Sequence, residues 1–264
     1  MPARLPTLLP HDGLTALPNP SLVRRDKGLV RHSLHQLLHV DLVRFAVAGA
    51  RFVWFSRVRK ELRSSAGGGG VAEHTVMHNL KGLRDVAVVR SLFLARPLSV
   101  IESLPTTADL LVVGPRTEGE ILALIAHGFE RRHIRALDLI SYSPWVDRGD
   151  MHDMPYEDDS FDAVILGWVL AYSDDPGRAA AEVVRVLRPG GIVAVGVEWD
   201  ARTNAEIEAE VGYVPGSDRR YLSTDEVLDV FGSFVGDLIV RHEPHGGPRK
   251  GAGEMVLIFS VRDG

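Results

Sequence analysis

Between residues 109 and 197, short apolar runs alternate with helical patterns, and this alternation limits the possible folds more than any other feature of the chain. Residues 109–113, 134–140, 161–166 and 192–197 read as strands, while 118–125 and 176–187 carry helical periodicity. Parallel neighbours need crossovers of about a dozen residues, which the intervening helices supply. The pattern therefore predicts an α/β protein with a mostly parallel, Rossmann-like sheet covered by helices on both faces. A further helical stretch, 83–94, leads into the first strand. Beyond residue 197 the texture changes: 237–242 and 255–261 are β-rich and flank a turn-rich segment at 245–253, which predicts an antiparallel hairpin at the sheet edge.

Upstream of this pattern the chain divides at about residue 74, giving an arm and helical extension (1–74) and a main domain (75–264). Residues 1–20 are proline-rich and lack periodicity, and 64–70, with four consecutive glycines, read as a joint. Residues 21–63 alternate basic and apolar side chains, and Leu34, Leu37, Leu38 and Leu42 recur at the spacing of an amphipathic helix. The basic character suits an anionic glycan, lipid headgroup or phosphate. Exchange of charge with the acidic remainder or with a second subunit is preferred, so the extension is expected to be a lid or a homodimer contact. His32, His35 and His39 share one helical face, but Asp41 is out of phase with them, so a histidine-bearing surface is preferred to a zinc site.

Composition narrows the function. The 264 residues hold 35 acidic and 30 basic side chains, a net charge of -5, which argues against nucleic acid as a partner. Cysteine is absent, which excludes disulfides, thiolate metal sites and a cysteine nucleophile and fits a reducing compartment. The apolar run 45–55 is broken by Arg51 and falls short of the ~20 residues of a membrane span. Prolines at 2, 6 and 10 leave no continuous apolar stretch for a secretory signal, so a cytoplasmic location is expected.

In such a sheet, ligands bind outside the carboxyl ends of the strands, so the loops after residues 113, 139, 166 and 197 are the ones to inspect. Gly114 permits a sharp turn, and the helix that follows presents amide donors to a ligand. Asp138, about 20 residues further on, is suited to the two hydroxyls of a ribose.

Two longer blocks are more specific. Gly149-Asp150-Met151-His152-Asp153-Met154-Pro155-Tyr156-Glu157-Asp158-Asp159-Ser160-Phe161-Asp162 and Val184-Arg185-Val186-Leu187-Arg188-Pro189-Gly190-Gly191 lie either side of Trp168-Val169-Leu170 and Asp174-Asp175-Pro176. Together they resemble the class I S-adenosylmethionine-dependent methyltransferases of the type 11 kind, over about residues 105–200. The overall sequence is similar to methyltransferases of actinobacterial polysaccharide or secondary-metabolite pathways. The resemblance implies a seven-stranded sheet and S-adenosyl-L-methionine as cofactor. It assigns Gly114, Pro115, Arg116, Thr117 and Gly119 to the methionine end, Asp138 to the ribose and Leu139 to the adenine. Asp150 faces the adenine amino group, Met151 offers its backbone amide, and Gly167 and Trp168 floor the pocket.

The chain departs from the family at Arg116 and Glu118, where glycines are usual, and at Val112, where an acid is usual. The link from Asp138 to Asp150 is short and contains Pro144, so the helix normally found there is expected to be missing. The expected reaction is O-methylation of a sugar, oligosaccharide or other small polar metabolite, with Trp145, Trp168, Tyr172 and Trp199 available to stack on it. No histidine follows the third visible strand, which leaves Tyr172 as a base or orienting group, against a packing role. His152 can reach the acceptor or face solvent. Glu198, with Asp200, can bind substrate, accept a proton, or join Asp174 or Asp175 around Mg2+, although no metal ligands are assigned. Surface solvation is the preferred role for Asp174 and Asp175, and a loop tip for His245. The rivals are an inactive methyltransferase-like binding module and a dinucleotide oxidoreductase, which would need the three-glycine fingerprint this chain lacks.

Overall fold

The computed structural model describes residues 36–64, 89–115, 117–200, 202–211, 220–244 and 252–262. The N-terminal arm, the glycine joint, His32, His35, Arg116 and His245 lie outside the described residues. In chain order the elements are α1 (Asp41–Val53, continued by a wider turn over Trp54–Val58), β1 (Arg63–Ser64), α2 (Leu92–Leu98), β2 (Leu110–Val113), α3 (Gly119–Ala126), β3 (Ile134–Asp138), β4 (Ile140–Ser141) and β5 (Asp147–Arg148). They continue with β6 (Phe161–Gly167), α4 (Pro176–Val186), β7 (Leu187–Asp200), α5 (Asn204–Val211), α6 (Thr224–Phe231), β8 (Val235–His242) and β9 (Ala252–Val261).

Seven strands form one sheet in the order β5-β3-β2-β6-β7-β9-β8. The first five run parallel, whereas β9 is antiparallel to both β7 and β8. Period-two alternation divides the strands between two apolar layers. Leu110, Val112, Ala136, Ile165 and Ala194 pack with Ile121 and Leu122 of α3, Leu98 of α2 and Ala48 of α1. Leu111, Val113, Leu137, Val164 and Val195 pack with Val183 of α4 and with Val227 and Phe231 of α6. Covered on both faces, β2 reads as an unbroken apolar run, Leu-Leu-Val-Val.

The helix boundaries follow local chemistry. Asp175 caps α4, its Oδ1 accepting the Arg178 N–H at 3.1 Å with Pro176 at the first helical position. Ser223 caps α6 by accepting the Glu226 N–H. Asp175 is exposed, as expected of a surface residue, and also serves as a helix cap.

Three features differ from the sequence reading. The strand expected at 192–197 extends over 187–200, because its pairing with β9 continues out to Asp200. Of the described leucines whose spacing suggested an amphipathic N-terminal helix, Leu38 alone packs against the core. α1 buries Arg44 and Ala48, whereas Leu37 and Leu42 point outward. Of the described part of the helix expected at 83–94, residues 89–91 form a tight turn and the helix runs from Leu92 to Leu98. The helix expected to be missing between Asp138 and Asp150 is absent. Its place is taken by the edge strand β5 and by β4, which pairs antiparallel with β1 and ties the N-terminal extension to this loop.

Candidate active site

Strand order reverses at β2, whose neighbours are β3 on one side and β6 on the other, so a crevice opens at their carboxyl ends. Gly114 ends β2 at φ +69°, and a Cβ there would lie 2.5 Å from Val169 Cγ2, in the loop after β6. Asp138 closes β3 with its carboxylate buried, one oxygen accepting the Ile140 N–H at 3.1 Å. Gly167 ends β6, and a Cβ there would meet Glu120 Oε2 at 2.7 Å. The buried Glu120 carboxylate, from the first turn of α3, therefore sits against the β6 tip. The sequence reading did not single out Glu120. The signal was the acid missing at Val112 and an acid in the first turn of α3.

The loop from Gly114 into α3 is not an open anion cradle. Glu118, at the start of α3, is 0% exposed. Its carboxylate binds the Arg51 guanidinium through both nitrogens, Nη2 at 2.9 Å, and accepts the Ser143 hydroxyl. The Glu118 N–H donates to the Tyr142 hydroxyl at 3.1 Å and the Gly119 N–H to Thr117 Oγ1 at 3.3 Å. These two amides, expected to serve a ligand, are used within the fold. Arg51 also lies over the Trp145 ring at 3.7 Å, and Arg131 covers it at 4.6 Å. Beside this network a cavity of about 370 Å³ is lined by Arg63, Ser141, Tyr142, Ser143 and Arg148.

On the other side of the crevice, His152 is held between two elements. Its Nδ1 lies 2.6 Å from Asp150 Oδ1, which also accepts the His152 N–H at 2.9 Å. Nε2 lies 2.7 Å from Ser173 Oγ, on the turn after β6, and 3.4 Å from Asp174 Oδ1. A carboxylate only accepts, so the 2.6 Å contact with Asp150 calls for the proton on Nδ1, and in that tautomer Nε2 accepts from the Ser173 hydroxyl. Tyr172 precedes Ser173 on the same turn and is half-buried.

Further along the tips, Glu198 of β7 and Glu254 of β9 are direct cross-strand partners. Arg90 pairs with Glu198 at 2.9 Å and lies over the Trp168 ring at 5.0 Å, while the Trp168 indole N–H donates to Glu254. Trp168 takes φ +59°, a conformation a bulky residue keeps only when its surroundings hold it, and its ring packs on Gly196. Burial pushes the Glu254 carboxyl above its ordinary 4.5, with the Trp168 N–H opposing and Glu198 adding to the rise. The folded state then holds this proton more tightly than the unfolded chain. Stability contributed here is complete below pH 4.5 and is lost as pH rises through the raised value. Glu254→Gln should remove that decline, as read from urea midpoints measured at stepwise higher pH; an unchanged decline would assign it to other groups.

Comparison with known proteins bears on this geometry. A family profile described as a methyltransferase domain matches residues 125–195. The chain is similar to phthiotriol/phenolphthiotriol dimycocerosates methyltransferase 1 of Mycobacterium ulcerans, with 37% identity over 99 residues (37% of this chain, 33% of the relative). It is also similar to the chloroplastic 2-phytyl-1,4-beta-naphthoquinone methyltransferase of Arabidopsis thaliana, with 36% identity over 84 residues (32% and 31%). The chain thus spans about a third of the length of these relatives. The N-methyltransferase NodS of Bradyrhizobium japonicum, solved with S-adenosyl-L-homocysteine, superposes with TM-score 0.50 at 16% identity, covering 71% of this chain and 98% of that one. The chain thus has the class I methyltransferase fold, and residues 125–195 match the methyltransferase-domain profile. Its seven-stranded sheet, with the antiparallel C-terminal pair, has the order this class implies.

The strand tips bring together Gly114, Asp138 and Gly167, with Pro115 and Thr117 buried beside them and Leu139 half-buried. Met151 is half-buried against the α4 layer. Trp168 turns its ring into the sheet–α3 layer, Trp145 is sandwiched between arginines, and Trp199 packs near Gly253 and Pro244. Three of the four aromatic rings expected to stack on a sugar are therefore engaged by the fold. His39 meets His127 edge-on at 5.0 Å, a packing contact. Asp200 pairs with Arg202, which holds its carboxyl below the ordinary range. Among the described residues, no three His, Asp or Glu side chains are grouped to hold a metal.

Proposed function

We propose that the protein is an S-adenosylmethionine-dependent methyltransferase acting on a hydroxyl, with His152 as general base. The observation that carries the cofactor reading is the buried Asp138 carboxylate at the β3 tip beside the left-handed Gly114 turn at the β2 tip. A carboxylate there suits the two hydroxyls of a ribose, and the Gly114 turn has no room for a Cβ. The residues fit the cofactor: Asp138 would hold the ribose and Glu120 the ammonium that Val112 cannot. Leu139 and Met151 would flank the adenine. When bound, the cofactor supplies an electrophilic methyl group.

The protein's own part is alignment and proton removal. His152 Nε2 accepts the acceptor's hydroxyl proton, and the imidazolium so formed is stabilised by Asp150 at Nδ1 and Asp174 at Nε2. The Ser173 hydroxyl, 2.7 Å from Nε2, marks how closely an alcohol oxygen approaches. Glu198 is committed to Arg90, so it serves as a rim charge and not as the base. α1, fastened over the start of α3 through Arg51, acts as a lid. The relatives' names, dimycocerosate and phytyl-naphthoquinone methyltransferases, favour an acceptor with an apolar tail over a free sugar.

Calorimetric titration with S-adenosylhomocysteine tests the reading. The chain should bind it, and Asp138→Asn should weaken binding by about tenfold or more while the fold persists. No binding by the unaltered chain would favour the inactive module. Unchanged affinity in the variant would remove Asp138 from the ribose site.

A further inference from the structure

α1 is apolar on two faces. One buries Ala48 beneath the sheet's helical layer; the other presents Leu42 (74% exposed), Phe45, Val53, Trp54 (53%) and Val58 (59%) to the outside. Leu42, Phe45, Val53 and Trp54, with Ala46, Gly49 and Ala50 between them, spread over the outward half of the helix for roughly 20 Å. Singly exposed apolar residues are ordinary, but a continuous stripe of this length marks a contact surface. Its C-terminal end is cationic, with Arg57, Arg59 and Lys60 all exposed. Arg59 shares its charge with Glu61 at 3.0 Å, and Asp41 at the far end pairs with Arg44. Arg51, the remaining arginine of the helix, turns inward to Glu118.

We propose that this face of α1 lies in the headgroup layer of an anionic lipid surface, with its axis parallel to the membrane plane. An outward apolar stripe on a helix ending in a cluster of cations is the composition that interfacial helices use. No helix among the described residues is long and apolar enough to cross a membrane, so the helix rests on the surface without spanning it. Charge selects lipid over a second copy of the chain. An isologous contact would offer the stripe another helix with the same cationic end, and only Asp41 and Glu61 to offset it. The whole chain carries a net charge of -5, so the cationic end stands against the overall sign. Because α1 also carries Arg51 to the start of α3, a bilayer under the stripe would lie close to the crevice.

The test is co-sedimentation of the full chain with vesicles of phosphatidylcholine alone or mixed equally with phosphatidylglycerol, without methyl donor or acceptor. The chain should bind the mixed vesicles, with a blue shift of tryptophan emission that Trp54→Phe removes. Val53→Glu with Trp54→Glu should reduce binding at least about tenfold, and Arg57→Glu with Lys60→Glu should do the same while abolishing the preference for anionic vesicles. Both pairs sit on exposed positions, and an unchanged thermal transition would verify their folding. Absence of binding by a monomeric chain overturns the proposal. So does a dimer that the stripe variants dissociate, which would assign the face to a second copy. Equal binding to neutral and anionic vesicles would overturn the electrostatic part. A chain that binds vesicles but not S-adenosylhomocysteine would leave this surface standing and overturn only the catalytic reading.

Discussion

Arg51→Met will lower the unfolding free energy by about 3–5 kcal/mol, because it strands a carboxylate that no water reaches. Glu118 is fully buried, and Arg51 supplies the only full positive charge among its hydrogen-bond partners in the described residues; Ser143 adds a neutral donor. Removing the guanidinium leaves the carboxylate with only the Ser143 hydroxyl and the charge of Arg131 to offset its desolvation, and takes a cation off the Trp145 ring. The measurement is the urea midpoint at constant slope. Arg51→Met combined with Glu118→Gln should recover most of the loss, since the cost lies in the unpaired charge. A single variant within about 1 kcal/mol of the parent would mean that the pair is solvated in solution and that α1 does not depend on it.

His152→Ala should reduce turnover by about 10²- to 10⁴-fold, the usual worth of a positioned general base, while leaving S-adenosylhomocysteine affinity unchanged. The neighbouring carboxylate separates two readings. If Asp150 positions His152, as its 2.6 Å contact with Nδ1 indicates, Asp150→Asn lowers kcat and leaves the cofactor's Kd alone. If Asp150 instead reads the adenine, as the family resemblance implies, the same variant raises Kd. Full turnover in His152→Ala would end the case for this histidine and return attention to Tyr172, two residues after Leu170 on the turn that also carries Ser173.

Much of the scaffold was legible in the linear chain because it depends on short-range rules. The short apolar runs of β2, β3 and β6, the Pro176 helix start and the turn residue Gly114 act within a few neighbours, so pattern alone predicts them. The helices α5 and α6 escaped, since they lie where the strand–helix alternation ends and each spans only eight residues. The departures in the glycine loop looked like damage to a motif. For Glu118 the explanation is 67 positions away in sequence, at Arg51, and no local rule links the two.

The sequence by itself determined the class of fold, the end of the sheet where chemistry belongs, and Asp138 and Gly114 as the residues to watch there. Periodicity and turn stereochemistry are properties of adjacent residues. Only the tertiary structure decided that Glu118 is an ion-paired strut, that Glu120 reaches the β6 tip, that His152 is strung between Asp150 and Ser173, and that α1 buries Ala48 while exposing its leucine. Those outcomes depend on which elements pack together, and long-range partners alone set the burial and pairing of a charge.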